Sequence, residues 1–337
     1  MSESSPANSP SVSVVVPTWR RPEHLRVCLA ALARQTLMPA RVIIVIKSDD
    51  AATMELLRET ETPWQSLHVE TVVEPVSGNF LTQLNAGVAA TTEPFVALTD
   101  DDSEPHADWL ERIVAHFADD TVAGVGGRDW QPYERGNRAV VGKVSWFGRV
   151  TGNHHLGCGP ARDVDVLKGV NFCFRGEIIR RIRFDPRLRG RGNVTHGELA
   201  LCLAIRREGW RLIYDPAIGV DHHVAPRHDG DVNARGGFEP KSYADAVFNE
   251  TLSVWEYLRP AQRVAFAMWA VGCGTREVPG LLQIPRLMLQ GGWRAGRVAV
   301  AKMRCAVPAR VQAVRVSLAD RRTMFEKTAS VPAEVRA

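Results

Sequence analysis

Residues 94–110 read PFVALTDDDSEPHADWL. The apolar run 95–98 passes without a polar transition into Thr99-Asp100-Asp101-Asp102, and a helical pattern through Trp109, Leu110, Ile113 and Phe117 follows. In open α/β sheets ligands gather outside the carboxyl ends of the strands, which is where these three carboxylates fall. A triple Asp ahead of Ser103-Glu104-Pro105 also has a plainer reading, a solvated turn that caps the next helix. The surrounding sequence decides between the two.

Working outward, the first 130 residues repeat one unit, a short apolar run followed by a helical pattern. The β-branched run 12–16 stops at Pro17, and Pro22 opens a helix whose Leu25, Cys28, Leu29 and Leu32 share one face. Runs at 41–46 and 69–73 give the second and third strands, with a helix through Met54 and Leu57 between them. Residues 79–90 give the next helix, with Leu81, Leu84 and Val88 on one side, and 122–125 a fifth strand. This alternation predicts βαβ units around a mostly parallel sheet. From 127 to 227 the pattern loosens into mixed α+β, with strand-like runs at 164–167, 172–174 and 211–214. From 241 onward the chain reads as helical, through 247–258 and 261–271 and then a basic tail in which Pro308 interrupts. The expected organisation is a disordered Ser/Pro-rich leader over 1–10, a main domain over 11–240 with halves at 11–127 and 128–240, and a helical extension over 241–337.

Composition narrows the class. The chain has 337 residues, 45% hydrophobic and 24% charged, enough for one large core. Its six cysteines are widely spaced without zinc-like clustering, and read as reduced thiols of a cytoplasmic protein. The polar start is no signal peptide, and the longest apolar stretch, 264–273, is too short to cross a bilayer. The net charge of +4 hides an asymmetry: residues 286–322 hold nine Lys/Arg and one acid, Asp320, which leaves the remainder negative.

Five segments in order resemble the family 2 glycosyltransferases: SVVVPTWRRPEHLRVCLAALARQT (13–36), FLTQLNAGVAAT (80–91), PFVALTDDDSEPHADWL (94–110), LKGVNFCFR (167–175) and GELALCLAIRREGWRLIYDPAIGVDHH (197–223). The resemblance implies a GT-A, Rossmann-like α/β fold and an inverting transfer of sugar from a nucleoside-diphosphate sugar to an acceptor hydroxyl. By the same resemblance Pro17, Thr18 and Arg20 line the nucleotide pocket. Asn85, Asp100, Asp101 and Asn171 face the donor, Asp102 binds a divalent cation, and His222 completes the metal shell. Glu198 stands where the family keeps its acidic base. Such a reaction needs charge neutralisation on the leaving diphosphate and a base for the acceptor proton, and Mn²⁺ or Mg²⁺ on one or two carboxylates supplies the first. Glu198 also opens a helix over 199–207, where a carboxylate is favoured whether or not it reacts. Most histidines that close a strand, as His222 and His223 do, are structural.

Two positions depart from the pattern. Lys47-Ser48 replaces the usual acidic pair after the second strand, leaving Asp49 as the substitute, and Glu198 stands without its usual acidic neighbour. The implied setting is bacterial-type polysaccharide or glycoconjugate synthesis on a glycan, lipid-linked or small-molecule acceptor. An inactive nucleotide-sugar or glycan-binding module is the rival that detectable transfer would exclude. A sugar nucleotidylyltransferase would carry a Gly-rich basic loop where Pro17-Thr18-Trp19-Arg20 stands. The tail either lies on anionic membrane at the inner face or packs its apolar stripe on the main domain. Without aromatic interleaving it offers nothing to nucleic acid.

Overall fold

In a computed structural model, described over residues 10–133, 135–225 and 238–329, the two periodicities become a nine-stranded sheet with helices on both faces. The expected leader apart from Pro10, residues 226–237 at the end of the expected main domain, and the side chains of Arg321 and Arg322 lie outside the described residues. Strands β1 (Val12–Pro17) and β2 (Arg41–Lys47) are buried almost throughout, as central parallel strands are. They pair in parallel with β3 (Val69–Glu74) and β4 (Phe95–Leu98) in the order β3-β2-β1-β4. Successive side chains point to opposite faces. Val12, Val14, Val16 and Ile44 therefore meet α1 (Pro22–Leu32), α2 (Ala51–Leu56) and α4 (Trp109–Ala115), while Val15, Ile43 and Val45 meet α3 (Phe80–Ala90) on the other side. There α3 sits so close that a Cβ on Gly87 would stand 2.4 Å from Val15 Cγ1.

Beyond β4 the direction alternates. Strand β10 (Phe172–Arg175) inserts antiparallel between β4 and β6 (Val122–Trp130), and β11 (Arg211–His222) pairs parallel to β6 on its far side. Antiparallel β5 (Ser103–Pro105) and β9 (Arg162–Val164) pair with β11, and a small hairpin, β7 (Lys143–Val144) with β8 (Val150–Thr151), lies apart. Asp101 and Asp102 form a turn, and residues 103–105 after it form β5. Two expectations need correction here. The run 164–167 is strand only to Val164, because the N–H groups of Asp165 and Val166 turn to the Gly142 carbonyl. The strand at 211 continues to His222, because an irregularity between Asp215 and Gly219 absorbs Pro216 and lets pairing resume.

The helices α5 (Gly176–Ile182), α6 (Gly197–Arg207), α7 (Pro240–Tyr257), α8 (Pro260–Gly272) and α9 (Gln283–Ala329) close the α3 side. Pro308 does not interrupt α9, contrary to expectation. The helix turns instead at Gly291–Gly292, where Gly292 has φ +69°. A proline costs one backbone hydrogen bond, and burial of Ala306, Ala309 and Ala313 in the core shared with α7 offsets it. Polar ties reinforce that seam: Arg310 donates to Thr251 Oγ1 (3.1 Å), and Arg187 bridges Glu256 (3.0 Å) and Asp320 (2.6 Å).

Candidate active site

The carboxyl ends of β1, β4, β6 and β11 and the amino end of β10 meet at one edge of the sheet. Thr99 sets the turn there, bonding Ser103 Oγ (2.6 Å) and donating to the Val170 carbonyl (2.8 Å) ahead of β10. Asp101 points inward, accepting from Thr18 Oγ1 (2.7 Å) and from Arg21 (2.9 Å), so it ties the turn to the end of β1 and the start of α1. Asp102 accepts the Ala225 N–H on Oδ2 (2.8 Å) and receives a weaker ion-pair contact from Arg21 (3.6 Å). Its Oδ1 faces His222 Nε2 at 3.4 Å. Asp100, Asp102 and His222 each bring one ligand atom within 4.8 Å of the others, forming a cluster of metal-ligating groups among the described residues.

The donor set fits a divalent cation. Ligand atoms of an octahedral shell with bonds of about 2.1 Å stand about 3 Å apart, close to the Asp102–His222 separation. The other imidazole nitrogen, Nδ1, is buried without a hydrogen-bond partner, 3.9 Å from Asp129 Oδ2. Asp129, at the end of β6 and fully buried, also takes the Lys168 ammonium and the Gln131 amide (2.8 Å). Its Oδ1 has no hydrogen-bond partner. A carboxylate behind a histidine whose far nitrogen is offered to a metal is the arrangement that fixes ring orientation and ligand basicity.

The electrostatics follow from burial and partners. Burial, reinforced by the charge of Asp102, raises Asp100 above the usual carboxylate range. Burial lifts Asp101 to about 6 against the opposing Arg21 and Thr18. For Asp102 burial works the same way but is outweighed by His222, the Ala225 N–H and Arg21, so it stays ionised well below the usual range. Asp129 is likewise held low, burial being overcome by His222 and Lys168. His222 rises to about 9, because Asp102 and Asp129 outweigh its own burial. Without a cation, then, the cluster stores a proton on His222 and crowds its carboxylates together.

The other expected residues fall into three groups. Pro17 closes β1 and Thr18 follows it, both buried. Asn171 is buried just ahead of β10: its amide donates to the carbonyls of Arg128 (3.1 Å) and Ile218 (3.0 Å) and accepts from the Trp109 indole (2.9 Å). A Cβ on Gly127 would stand 2.8 Å from that amide nitrogen and 2.0 Å from the Ile218 oxygen, so this contact needs glycine. Val170, just before, sits at φ +69°, a strained value for a β-branched residue. A second group lies at the ends of β1 and β2. Arg20, at φ +57°, has its N–H held by the Asp50 carboxylate and its guanidinium by Asp49 (2.6 Å), which also accepts from the Trp19 indole (3.0 Å). Lys47, where the pattern has an acid, is buried; its ammonium lies 4.3 Å from the centre of the Trp19 ring and donates to the Gly78 carbonyl (3.0 Å). The third group lies towards α3 and α6. Asn85 is bound on both sides of its amide by the Phe184 backbone (2.9 Å each), away from the aspartates. Glu198 stands in the first turn of α6, whose Gly197 packs on Leu81 at the start of α3. Since α3 begins just past the carboxyl end of β3, Glu198 lies towards the same edge of the sheet.

Arg21, Asp50, Asp129 and Lys168 are absent from the sequence expectations. Asp129 had a signal, a lone carboxylate at the carboxyl end of the Gly-rich run 122–127.

A family model described as "Glycosyltransferase like family 2" matches residues 10–235. The chain is 30% identical over 133 residues to the glycosyltransferase AglE of Haloferax volcanii, covering 39% of this chain and 43% of that protein. It is 26% identical over 308 residues to the pre-mycofactocin glycosyltransferase of Mycobacterium tuberculosis, covering 89% and 60%. The chain thus spans roughly half the length of these curated relatives. In structure it resembles a mannosyltransferase of Pyrobaculum calidifontis in complex with GDP-Man and Mn²⁺ (TM-score 0.51, 18% identity, 91% of this chain and 88% of that one). It also resembles S. aureus TarS 1–349 in complex with UDP (TM-score 0.53, 14% identity, 90% and 91%). These likenesses establish the GT-A fold.

Proposed function

The chain belongs to the glycosyltransferase family 2 group, and from that membership we propose that it moves a sugar from a nucleoside-diphosphate sugar to an acceptor hydroxyl with inversion. The observation that carries this reading is the convergence of Asp100, Asp102 and His222 at the carboxyl edge of the sheet. A divalent cation, Mn²⁺ or Mg²⁺, held there by Asp102 and His222 would neutralise the departing diphosphate. Neighbours of the same fold solved with GDP-Man and Mn²⁺ and with UDP support a donor of this class.

The chain's own residues divide the remaining work. Thr18 and Arg21 hold Asp101, and so keep the turn that presents Asp100 and Asp102. Asp129, held by Lys168, orients His222. Pro17, Trp19, Arg20 and Asp49 would line the nucleotide pocket, with Lys47 in place of an acid. Asn171 fixes the start of β10 next to the donor, and Asn85 steadies the Phe184 backbone rather than touching it. Glu198 takes the proton from the acceptor hydroxyl as the bond to the anomeric carbon forms and the diphosphate leaves. The acceptor belongs to the glycan, lipid-linked or small-molecule class, in polysaccharide or glycoconjugate synthesis. The test is to incubate the protein with a panel of nucleoside-diphosphate sugars and Mn²⁺, following diphosphate release and the anomeric proton of the product by NMR. Inversion at the anomeric carbon is expected. Retention, or no transfer or hydrolysis of any donor, would overturn the reading.

A further inference from the structure

We infer that the turn joining α8 to the long arm of α9 is a docking surface for a bilayer carrying anionic headgroups. On α8, Met268 (66% exposed) and Val271 point outward. Leu281 and Leu282 lie against the end of the same helix, their N–H groups bonded to the carbonyls of Val271 and Gly272 (2.9 Å each). Past them α9 kinks at Gly291–Gly292, with Leu289 (90% exposed) and Trp293 (72% exposed) on either side of the kink. Four large apolar side chains this exposed within residues 281–293 mark an interaction site. A Trp beside leucines suits the level where acyl chains meet headgroups.

Charge names the occupant. Arg286, Arg294 and Arg297 are exposed around that tip, and no acid occurs anywhere from residue 278 to 319. In the rest of the basic tail Arg310 is turned to Thr251, Lys302 pairs with Glu277 (3.4 Å), and Ala306, Ala309, Ala313 and Ser317 are buried on the α7 side, while Arg304 and Arg315 are exposed without large apolar neighbours as exposed as Leu289 and Trp293. The membrane face is the 281–298 tip with the outer side of α8, where exposed arginines coincide with the exposed Leu282, Leu289 and Trp293. Among the described residues no helix is long and apolar enough to cross a membrane, so the tip lies in the interface.

Flotation of the full chain with phosphatidylcholine vesicles, with and without phosphatidylglycerol, tests this. Binding to the anionic vesicles at low salt is expected, lost at high salt. The triple variant Arg286→Gln, Arg294→Gln, Arg297→Gln should partition on the order of 100-fold more weakly, each basic residue contributing about fivefold. Leu289→Glu with Trp293→Glu should abolish binding although the arginines remain. Both variants should melt with the wild type, since the altered side chains are exposed. The inference fails if the wild type ignores anionic vesicles, or if either variant binds as well as wild type. It fails equally if the glutamate variant instead dissolves a dimer seen by sedimentation without lipid, which would make the occupant a second copy.

Discussion

At the ends of β4, β6 and β11 the charges face inward: Asp101, Asp102 and Asp129 are each under a tenth exposed, and Asp102 and Asp129 flank His222. In α9 the arrangement is reversed, with arginines mostly outward and Ala306, Ala309, Ala313 and Ser317 buried. Buried charge is costly unless paired, hydrogen-bonded or on a metal. A fold that keeps a buried acidic cluster crowded at one edge has stability to gain from binding a cation. A helix seated on alanines gains nothing of the kind. Changes at the edge should therefore alter chemistry and ligand-linked stability, while changes in the α7–α9 seam should alter stability alone.

The largest effect expected on the edge side of that contrast is at Glu198. Glu198→Gln should keep donor binding while turnover falls roughly 10²- to 10⁴-fold, the usual contribution of a positioned base. Single-turnover kinetics with saturating donor would show it, and near-wild-type turnover would move the role elsewhere, Asp221 being the next acid to examine. Next comes pH. His222 rises from the ordinary histidine value to about 9, so its contribution is complete below about 6.5 and disappears as pH climbs through 9. Asp101, raised to about 6, acts in the same direction at lower pH: its contribution is present in acid and lost as it ionises. In EDTA, denaturant melts from pH 6.5 to 9 should show stability falling by up to about 3 kcal/mol, and His222→Gln should flatten that slope. Equal slopes in the two proteins would remove His222 from the buried network.

How much of this was legible in sequence divides along the same line. The parallel half was readable because each strand and helix there carries its own period, and Leu25, Leu29 and Leu32 or Val12, Val14 and Val16 declare a face without reference to anything distant. The antiparallel insertion of β10 and the pairing of β5 with β11 carry no local period, since register between distant strands depends on partners. Asp129 was missed for that reason: its meaning comes from Lys168 and His222, far away in the chain. Pro308 misled because propensity describes an isolated helix, and packing on α7 overrides it. The basic tail allowed two readings, a membrane face and a packed helix, and the molecule has residues suited to each, in different stretches.

Smaller effects sharpen the contrast. Asp129→Asn should weaken cation affinity about 10- to 100-fold while leaving the metal-free fold in place, read by calorimetry with Mn²⁺. Unchanged affinity would reduce Asp129 to a partner of Lys168. On the other side, Ala313→Gly should cost about 1–2 kcal/mol of stability through helix propensity and a lost buried methyl, without changing donor affinity. A change in donor affinity there would break the separation between the two regions.

The convergence of Asp100, Asp102 and His222 on a cation that holds the donor diphosphate is tested most directly by calorimetric titration of the donor's nucleoside diphosphate in Mn²⁺ and in EDTA. Wild type and Asp102→Ala should both be measured. Wild-type affinity should fall by more than about tenfold in EDTA, and Asp102→Ala should show most of that difference gone, with its melting transition intact. Identical wild-type affinity in Mn²⁺ and EDTA would contradict it.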